Sequence, residues 1–455
     1  MKIPLTSPLF AWNCLETSPS LKTLRDLLTT LPDKDLLDAL REHRGRGRND
    51  YTIETLWGIY ICRIVLRHPT MDAMLEELRR NPGLCRLVGI EGEADVPDKW
   101  NMSRFEKVLG KEQHVHLLRK MFDTMAARLG DAVNDLGRET AGDATALHAR
   151  RSEAAGSGDC SLPQPTGGRK EYTDEDGVVT EVYEWFGYKL HLLVDTKHEV
   201  ALGYQATAAN TGDNEPLPDL VRQAQKNLCD QRTLEKIDER HSGRIRTLSY
   251  DKAADTNGVH GFLHSQSIAG IIQTRSLWKG EHERMLPEDD GTSNVVYDEA
   301  GTLYCYDKVS NPPVRHRMSF IGHEASRGTL KYRCPAKHEK WRCPSSRRCN
   351  AGKRYGMTKR VSREIDLRRF CRLPRDTKKF ERLYKGRTAV ERVNARLKLF
   401  WGIDDGNIRG PERFHARIGA VMAVHQAFAI LLAKSPRYEG SLSRTRLGPI
   451  AKALQ

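Results

Sequence analysis

The chain has 455 residues, about three times the common domain size, so two or three structural units are expected. Its net charge of +14 favours a polyanionic partner. Ten cysteines without a ladder of close spacings argue against a disulfide-stapled secreted scaffold and for a reducing compartment. The opening MKIPLTSPLFAWN lacks an apolar signal core. The longest apolar stretch, Ala420–Ala433, is broken by His425 and Gln426 and falls short of the ~20 residues of a membrane span. A soluble cytoplasmic protein without a membrane partner is expected.

Residues 16 to about 130 read as helical. Leu21–Thr30, Asp33–Glu42, Thr52–Arg67 and Met71–Arg80 carry apolar residues at three- and four-residue spacing. Pro32, Gly45–Arg48 and Pro82–Gly83 separate them, Thr70 is an expected N-cap, and a fifth helix is expected to open at Ser103. Such short helices suit a helix-turn-helix reader or a plain packing and dimerisation module. From Arg138 the pattern alternates. GRETAGDATALHAR, EVYEWFGYKLHLLVDT and EVALGYQATAAN read as strands, the last two joined by a turn at Thr196–His198, and Ser152–Arg169 reads as a loop. A helix over Pro216–Leu228, a strand ending at Asp251, a helix over Thr256–Ser265 and the strand IAGIIQTR complete a mixed α/β layered unit. From Ser276 to Lys379 no clean period survives. Strand-like pieces (NVVYDE, TLYCYD, TLKYRC) among Pro, Gly and basic clusters read as a β-rich insertion. Helix resumes near Phe380, breaks at Gly402–Pro411, and continues from Glu412 to Ala433, with a loose tail after Ser435.

The charge is concentrated. Between Lys331 and Phe400 there are 24 Lys and Arg against 6 Asp and Glu, while the other 385 residues carry 50 basic and 54 acidic groups. Tyr332, Trp341, Tyr355, Phe370, Phe380, Tyr384 and Phe400 are interleaved with this run. Phosphate contact and base stacking require that combination, against the alternative of a solvated basic loop. The run leads into KKFERLYKGRTAVERVNARLKLFWG, where Tyr384, Arg387, Glu391 and Lys398 stand at intervals of near-whole helical turns and are expected on one helix face. A surface ion pair would account for Arg387 and Glu391 but not for the Tyr and Lys. One acid in a basic, aromatic setting reads better as a metal-binding carboxylate with phosphate-gripping neighbours.

These residues, at this spacing, resemble the Tyr-x2-Arg-x3-Glu-x6-Lys signature of DDE-type insertion-sequence transposases. GDAT resembles that family's first catalytic Asp strand, FGYKLHLLVD and ATAANTGDNEPLPDL its following strands and helix, and SYDKAAD its second Asp segment. The resemblance implies an RNase H-like mixed sheet flanked by helices, with a β-rich insertion before the catalytic Glu helix and an all-α N-terminal domain. The implied layout is 1–130 for DNA-end binding, 131–275 and 380–435 for the two parts of the catalytic domain, 276–379 for the basic insertion, and 436–455 for the tail. Carried over residue by residue, the acidic triad is Asp143, Asp251 and Glu391. Phosphodiester chemistry makes the same demand, since carboxylates hold two Mg²⁺ ions, for which Mn²⁺ would substitute. DKAAD departs from the usual glycine-tyrosine pair before the second acid, leaving Asp255 as a competitor, and Asp131 and Asp135 remain weaker alternatives for the first.

The implied partners are the double-stranded DNA of transposon ends and target, and a second copy of the chain in a synaptic complex, acting at the nucleoid. Tyr384, Arg387, Lys398, Arg347, Arg348, Lys353 and Arg354 are the expected DNA contacts. Trp278 would stack on an unpaired base or else lie buried under the insertion. Cys305, Cys334, Cys343 and Cys349, with His338 between and Cys371 downstream, would close a structural zinc site or remain free structural thiols, their spacings not being those of a CxxC knuckle. The alternatives to a transposase are a DNA-binding relative without catalysis, and a two-metal nuclease without strand joining.

Overall fold

The computed structural model describes residues 19–46, 50–150, 161–173, 178–228, 244–280, 282–287, 293–405, 408–436 and 438–443. The expectations for the first residues, for 47–48, for 151–160 of the Ser152–Arg169 loop and for the tail beyond 443 lie outside the described residues. The chain divides into two compact units, one of Met1–Gly137, Asp143–Glu235 and Ala389–Gln455, the other of Arg138–Gly142 and Lys236–Thr388.

The first unit opens with α1 (Pro19–Thr30), α2 (Lys34–Arg44), α3 (Ile53–Val65), α4 (Met71–Arg80), α5 (Pro82–Leu87), α6 (Lys99–Leu109) and α7 (Glu112–Ala132). Their starts follow the local chemistry: Thr52, Thr70 and Asn81 each accept a hydrogen bond from a backbone N–H in the first turn. The fifth expected helix begins at Lys99, four residues before Ser103, and α7 continues the helical region to Ala132. Then come β1 (Glu139–His148), β2 (Thr166–Thr173), β3 (Val179–Asp195), β4 (Ala201–Ala208) and α8 (Leu217–Leu228). The long strand β3 pairs antiparallel with β2 along its first half and with β4 along its second. Where the two pairings meet, Gly187 has φ +152°, and a Cβ there would collide with the backbone of Leu147 and Ala149. The Thr166–Arg169 end of the expected loop is strand instead. Gly168 is there to leave room for the Trp185 ring rather than to make a turn. The β3–β4 turn is held by Asp195, whose carboxylate accepts from the N–H groups of Lys197, His198 and Gly137.

The unit ends with α13 (Thr388–Leu399) and α14 (Pro411–Lys434). Every side chain of α14 from Phe414 to Ile430 is buried, among α7, α1, α6, α3 and β4. By length and hydropathy α14 could cross a membrane, but 83% of its apolar window is buried inside the fold, as expected of a core helix. Each of its buried polar side chains here has a fixed partner, though Arg417 Nη1, His425 Nδ1 and Gln426 Oε1 stay unpaired: Arg417 donates to the carbonyls of Trp401 and Gly402, and His425 and Gln426 bond the N–H and C=O of Ala201. Beyond Ser435 the chain is not all loose, since Leu442 is fully buried and Ser441 donates to the carbonyl of Lys197.

In the second unit the first residues of β1 run parallel to β5 (Thr247–Tyr250), which runs parallel to β6 (Ala269–Ile272), the two linked through α9 (Asn257–Ser265). The insertion follows. One antiparallel sheet has the order β10-β9-β8-β7, from β7 (Arg284–Met285), β8 (Val295–Tyr297), β9 (Leu303–Asp307) and β10 (Val314–Arg317). A second joins β11 (Ser319–Glu324), β12 (Thr329–Arg333) and β13 (Thr358–Ser362), with the short helices α10 (Pro335–Glu339) and α11 (Ser346–Cys349) between β12 and β13. It is not a coreless basic loop: Leu286, Val295, Tyr297, Leu303, Met318, Leu330, Tyr332, Val361 and Phe370 form its own buried core. After it, α12 (Lys378–Lys385) stops at Gly386. The signature residues therefore do not stand on one unbroken helix. Tyr384 lies on α12, Arg387 in the two-residue junction, and Glu391 and Lys398 on α13.

Burial in α14 depresses the His425 imidazole to about 3, with Arg396 adding to the effect. The neutral ring accepts the Ala201 N–H at 3.1 Å. An unfolded histidine titrates near 6.5, so the unfolded state gains a proton that the folded state refuses as pH falls below that value. Acidification from pH 7 to 5 is expected to cost about 2 kcal/mol through this one group. Thermal melts of wild type and His425→Gln at both pH values check this. Wild type should lose more Tm on acidification than the variant.

Candidate active site

The first unit contains a cavity of about 430 Å³ lined by Asp143, Ala144, Thr145 and Ala146 of β1, by Arg169, Lys170, Tyr183, Trp185, Lys189 and Asp213, and by Glu391, Asn394 and Lys398 of α13. The sequence of α13 sets this face. Glu391, Asn394 and Lys398 recur at three- and four-residue spacing, and Ala389, Val390, Val393 and Leu397 are buried. Its other cations are used for docking: Arg392 donates to Glu199 at 2.7 Å, and Arg396 bonds the Glu199 carboxylate and backbone carbonyl. Glu199 itself holds a left-handed conformation (φ +52°) in the β3–β4 turn. Lys398 Nζ donates to the carbonyl of Ala146 at 2.6 Å and lies 3.5 Å from Asp404, which ties α13 to the strand carrying Asp143.

Two of the three expected acids, Asp143 and Glu391, thus share one cavity with Lys398. Lys189, Asp213 and Asn394 were not singled out from sequence. Asn394 had a signal, lying one turn beyond Glu391 on the same helix. Lys189 and Asp213 had none, because their ion pair at 2.7 Å joins β3 to the loop before α8. The donor set is all oxygen, from carboxylates and an amide whose Oδ1 is buried without a hydrogen-bond partner. Hard oxygen donors with no thiol or imidazole fit Mg²⁺ or Mn²⁺ better than a softer metal.

Asp251 belongs to the second unit, at the end of β5 and the start of a short 3₁₀ turn. The parallel register ends at Ala141↔Ser249. Asp143 is two residues past Ala141, and Asp251 is two residues past Ser249. Asp255 is differently placed. It is 2% exposed, and its carboxylate accepts from Arg368 Nε, Arg375 and His260 Nε2, each at 2.9 Å, and from the Arg275 N–H at 2.9 Å. Burial alone would raise its pKa, but these donors hold it below the ordinary carboxylate value. Its oxygens are committed to a structural network. Of the alternatives for the first acid, Asp135 pairs with Lys197 and His198 and, against its desolvation, is held down to about 2. Asp131 lines a separate cavity beside Thr29, Arg128 and Lys434.

The remaining expected DNA contacts lie in the second unit. Arg347, Arg348, Lys353 and Arg354 are exposed on and just after α11, next to Tyr355, which is 48% exposed and has the Arg333 guanidinium 3.8 Å from its ring centroid. Tyr384 stacks on Phe380 at 6.1 Å. Trp278 packs against the insertion core with Arg284 and Arg369 at 4.3 and 5.0 Å from its ring, so the burial alternative describes it better than a free stacking platform. Arg363, Arg368 and Arg375 spend their charge inside the unit on Phe370, Asp255 and backbone carbonyls.

Two known protein families match the chain. The model of the transposase DDE domain matches residues 139–426, and that of a second transposase domain matches residues 13–108. No curated protein matches the chain. The protein is a DDE-type transposase. The chain belongs to the transposase DDE-domain family, and its signature residues put it among the insertion-sequence members.

Asp255→Asn would leave Arg368, Arg375 and His260 with a buried partner short of charge, so a loss of about 3–5 kcal/mol in stability is expected. Asp251→Asn, in a partly exposed position, should keep a near-wild-type melt. Differential scanning calorimetry of the two variants separates these roles.

Proposed function

We propose that the chain binds the terminal inverted repeats of its own element, cleaves the DNA there, and joins the ends to target DNA. The observation that carries this reading is the cavity in which two signature acids, Asp143 and Glu391, meet four cations, Arg169, Lys170, Lys189 and Lys398. Asp251 is kept as the third acid because SYDKAAD resembles the family's second Asp segment, and the sheet is read as RNase H-like.

Bound Mg²⁺ would activate the attacking oxygen and stabilise the leaving one. Asp143, Asp251 and Glu391 would hold it, with the Asn394 amide oxygen beside them. The chain's own cations do the rest. Arg169 and Lys170 would neutralise scissile-strand phosphates, and the Lys189–Asp213 pair would fix the cavity wall. Lys398 would orient α13 against β1 so that Glu391 keeps its aim. Arg347, Arg348, Lys353 and Arg354 would grip the duplex backbone without reading sequence. Residues 13–108 are assigned to end recognition, and two copies would pair the ends in a synaptic complex at the nucleoid.

The test is a cleavage assay on a duplex carrying one element end, with Mg²⁺ and a target plasmid. Wild type should yield both nicked ends and joined product. Asp143→Asn, Asp251→Asn and Glu391→Gln should each lower cleavage at least about 10³-fold with end binding retained. Cleavage without joined product would instead mark a nuclease, and unchanged cleavage by any one variant would remove that residue from the set. In the same system, log K against log salt should have a slope near −0.9 per neutralised phosphate. Neutralising Arg347, Arg348, Lys353 and Arg354 together should flatten it.

A further inference from the structure

The insertion gathers four thiols that lie far apart in sequence. On β9 the buried positions alternate, so Cys305 and Asp307 face the same way, and His316 of β10 is paired directly across from Cys305. Cys334 ends the strand side of β12 as the N-cap of α10, Cys343 lies in the loop before α11, and Cys349 is the last residue of α11. Cys305 interacts electrostatically with Cys334, Cys343 and Cys349, and Cys343 in turn with Cys334 and Cys349. Ligand atoms of Cys343, His316 and Asp307 lie within 4.8 Å of one another. Two amides already point at sulfur: Asn350 Nδ2 donates to Cys334 Sγ at 3.6 Å and Asn294 Nδ2 to Cys349 Sγ at 3.8 Å. Donors of this kind are what a metal-bound thiolate needs from its surroundings. The other described cysteines, Cys62, Cys85 and Cys371, take no part in this cluster.

We propose that the insertion binds one zinc ion through Cys305, Cys334, Cys343 and Cys349. Thiolates are soft donors that select zinc over Mg²⁺, and a closed four-sulfur shell makes the site structural, not catalytic. Asp307 is assigned a positioning role instead, since its oxygens accept from Ser310 Oγ at 2.6 Å, Ser345 Oγ at 2.5 Å and the Val309 N–H at 3.0 Å. It holds the Cys343 loop in place through Ser345. His316 packs on Trp341 at 4.8 Å and walls the site. The metal has a clear task. Helices α10 and α11 have five and four residues, too short to persist alone, yet they frame the segment that exposes Arg347, Arg348, Lys353 and Arg354. Zinc would fasten that basic segment to the β9–β10 sheet.

The measurement is the metal content of the full-length protein purified without chelator, with Co²⁺ exchange as a second readout. Zinc at about one ion per chain and a thiolate-to-cobalt charge-transfer band of four-sulfur intensity are expected. Cys343→Ser and Cys349→Ser should each reduce bound zinc at least tenfold, whereas Cys62→Ser, Cys85→Ser and His316→Ala should retain it. A folded wild-type protein with neither zinc nor the cobalt band would overturn the proposal. So would zinc that survives the double substitution of Cys334 and Cys349. Loss of zinc in His316→Ala would overturn the four-sulfur assignment. Because the cobalt spectrum is read on wild type, an unfolded serine variant does not blunt the test.

Discussion

Complete burial of one helix is the constraint on which the first unit depends. α14 presents apolar or small side chains on every side from Phe414 to Ile430, so it must be covered all round, and α1, α3, α6, α7 and β4 do the covering. A helix so enclosed tolerates polar side chains only where each finds a fixed partner. Arg417 therefore reaches the Trp401 and Gly402 carbonyls, while His425 and Gln426 close on the backbone of Ala201. These bonds fix the chain that leaves α13 and the strand β4 that flanks β3. The cavity is built on elements positioned by this core.

Within that frame the cations of α13 divide their work. Arg392 and Arg396 seize Glu199 on one side, and Lys398 reaches the Ala146 carbonyl on the other. The helix is thereby held against two parts of the sheet, and Glu391 and Asn394 are left facing the cavity with Asp143. Placing acids on rigid, doubly anchored elements suits the phosphodiester chemistry proposed above, because misplacement by an ångström costs orders of magnitude in rate.

The basic insertion shows the same division. A run with 24 cations invites the reading that all of them meet DNA. Several do not. Arg368 and Arg375 neutralise a buried aspartate, Arg363 ties the Phe370 carbonyl, and Arg369 lies over Trp278. The exposed remainder, around Arg347 to Tyr355, is the portion able to meet a polyanion, and it rests on a core of its own.

The sequence by itself determined the helical N-terminal region, the alternating strands of the layered unit, the α14 core helix and the family, because each rests on local periodicity or on fixed spacing along the chain. Spacing also set Glu391 and Lys398 on one face of α13, while GDAT pointed to Asp143 only through its resemblance to the family's first Asp strand. Tertiary structure alone decided matters that depend on partners distant in sequence. It broke the signature helix at Gly386–Arg387, turned the glycine-rich end of a loop into β2 to house Trp185, and gave the insertion a core. It enclosed Asp255 between Arg368, Arg375 and His260, which no window around DKAAD reveals, while leaving Asp251 at a strand end. It drew Cys305 toward three cysteines more than twenty-eight residues away. Periodicity reports which face of an element is apolar, but whether a buried charge or thiol is satisfied depends on groups that only folding brings within hydrogen-bonding distance.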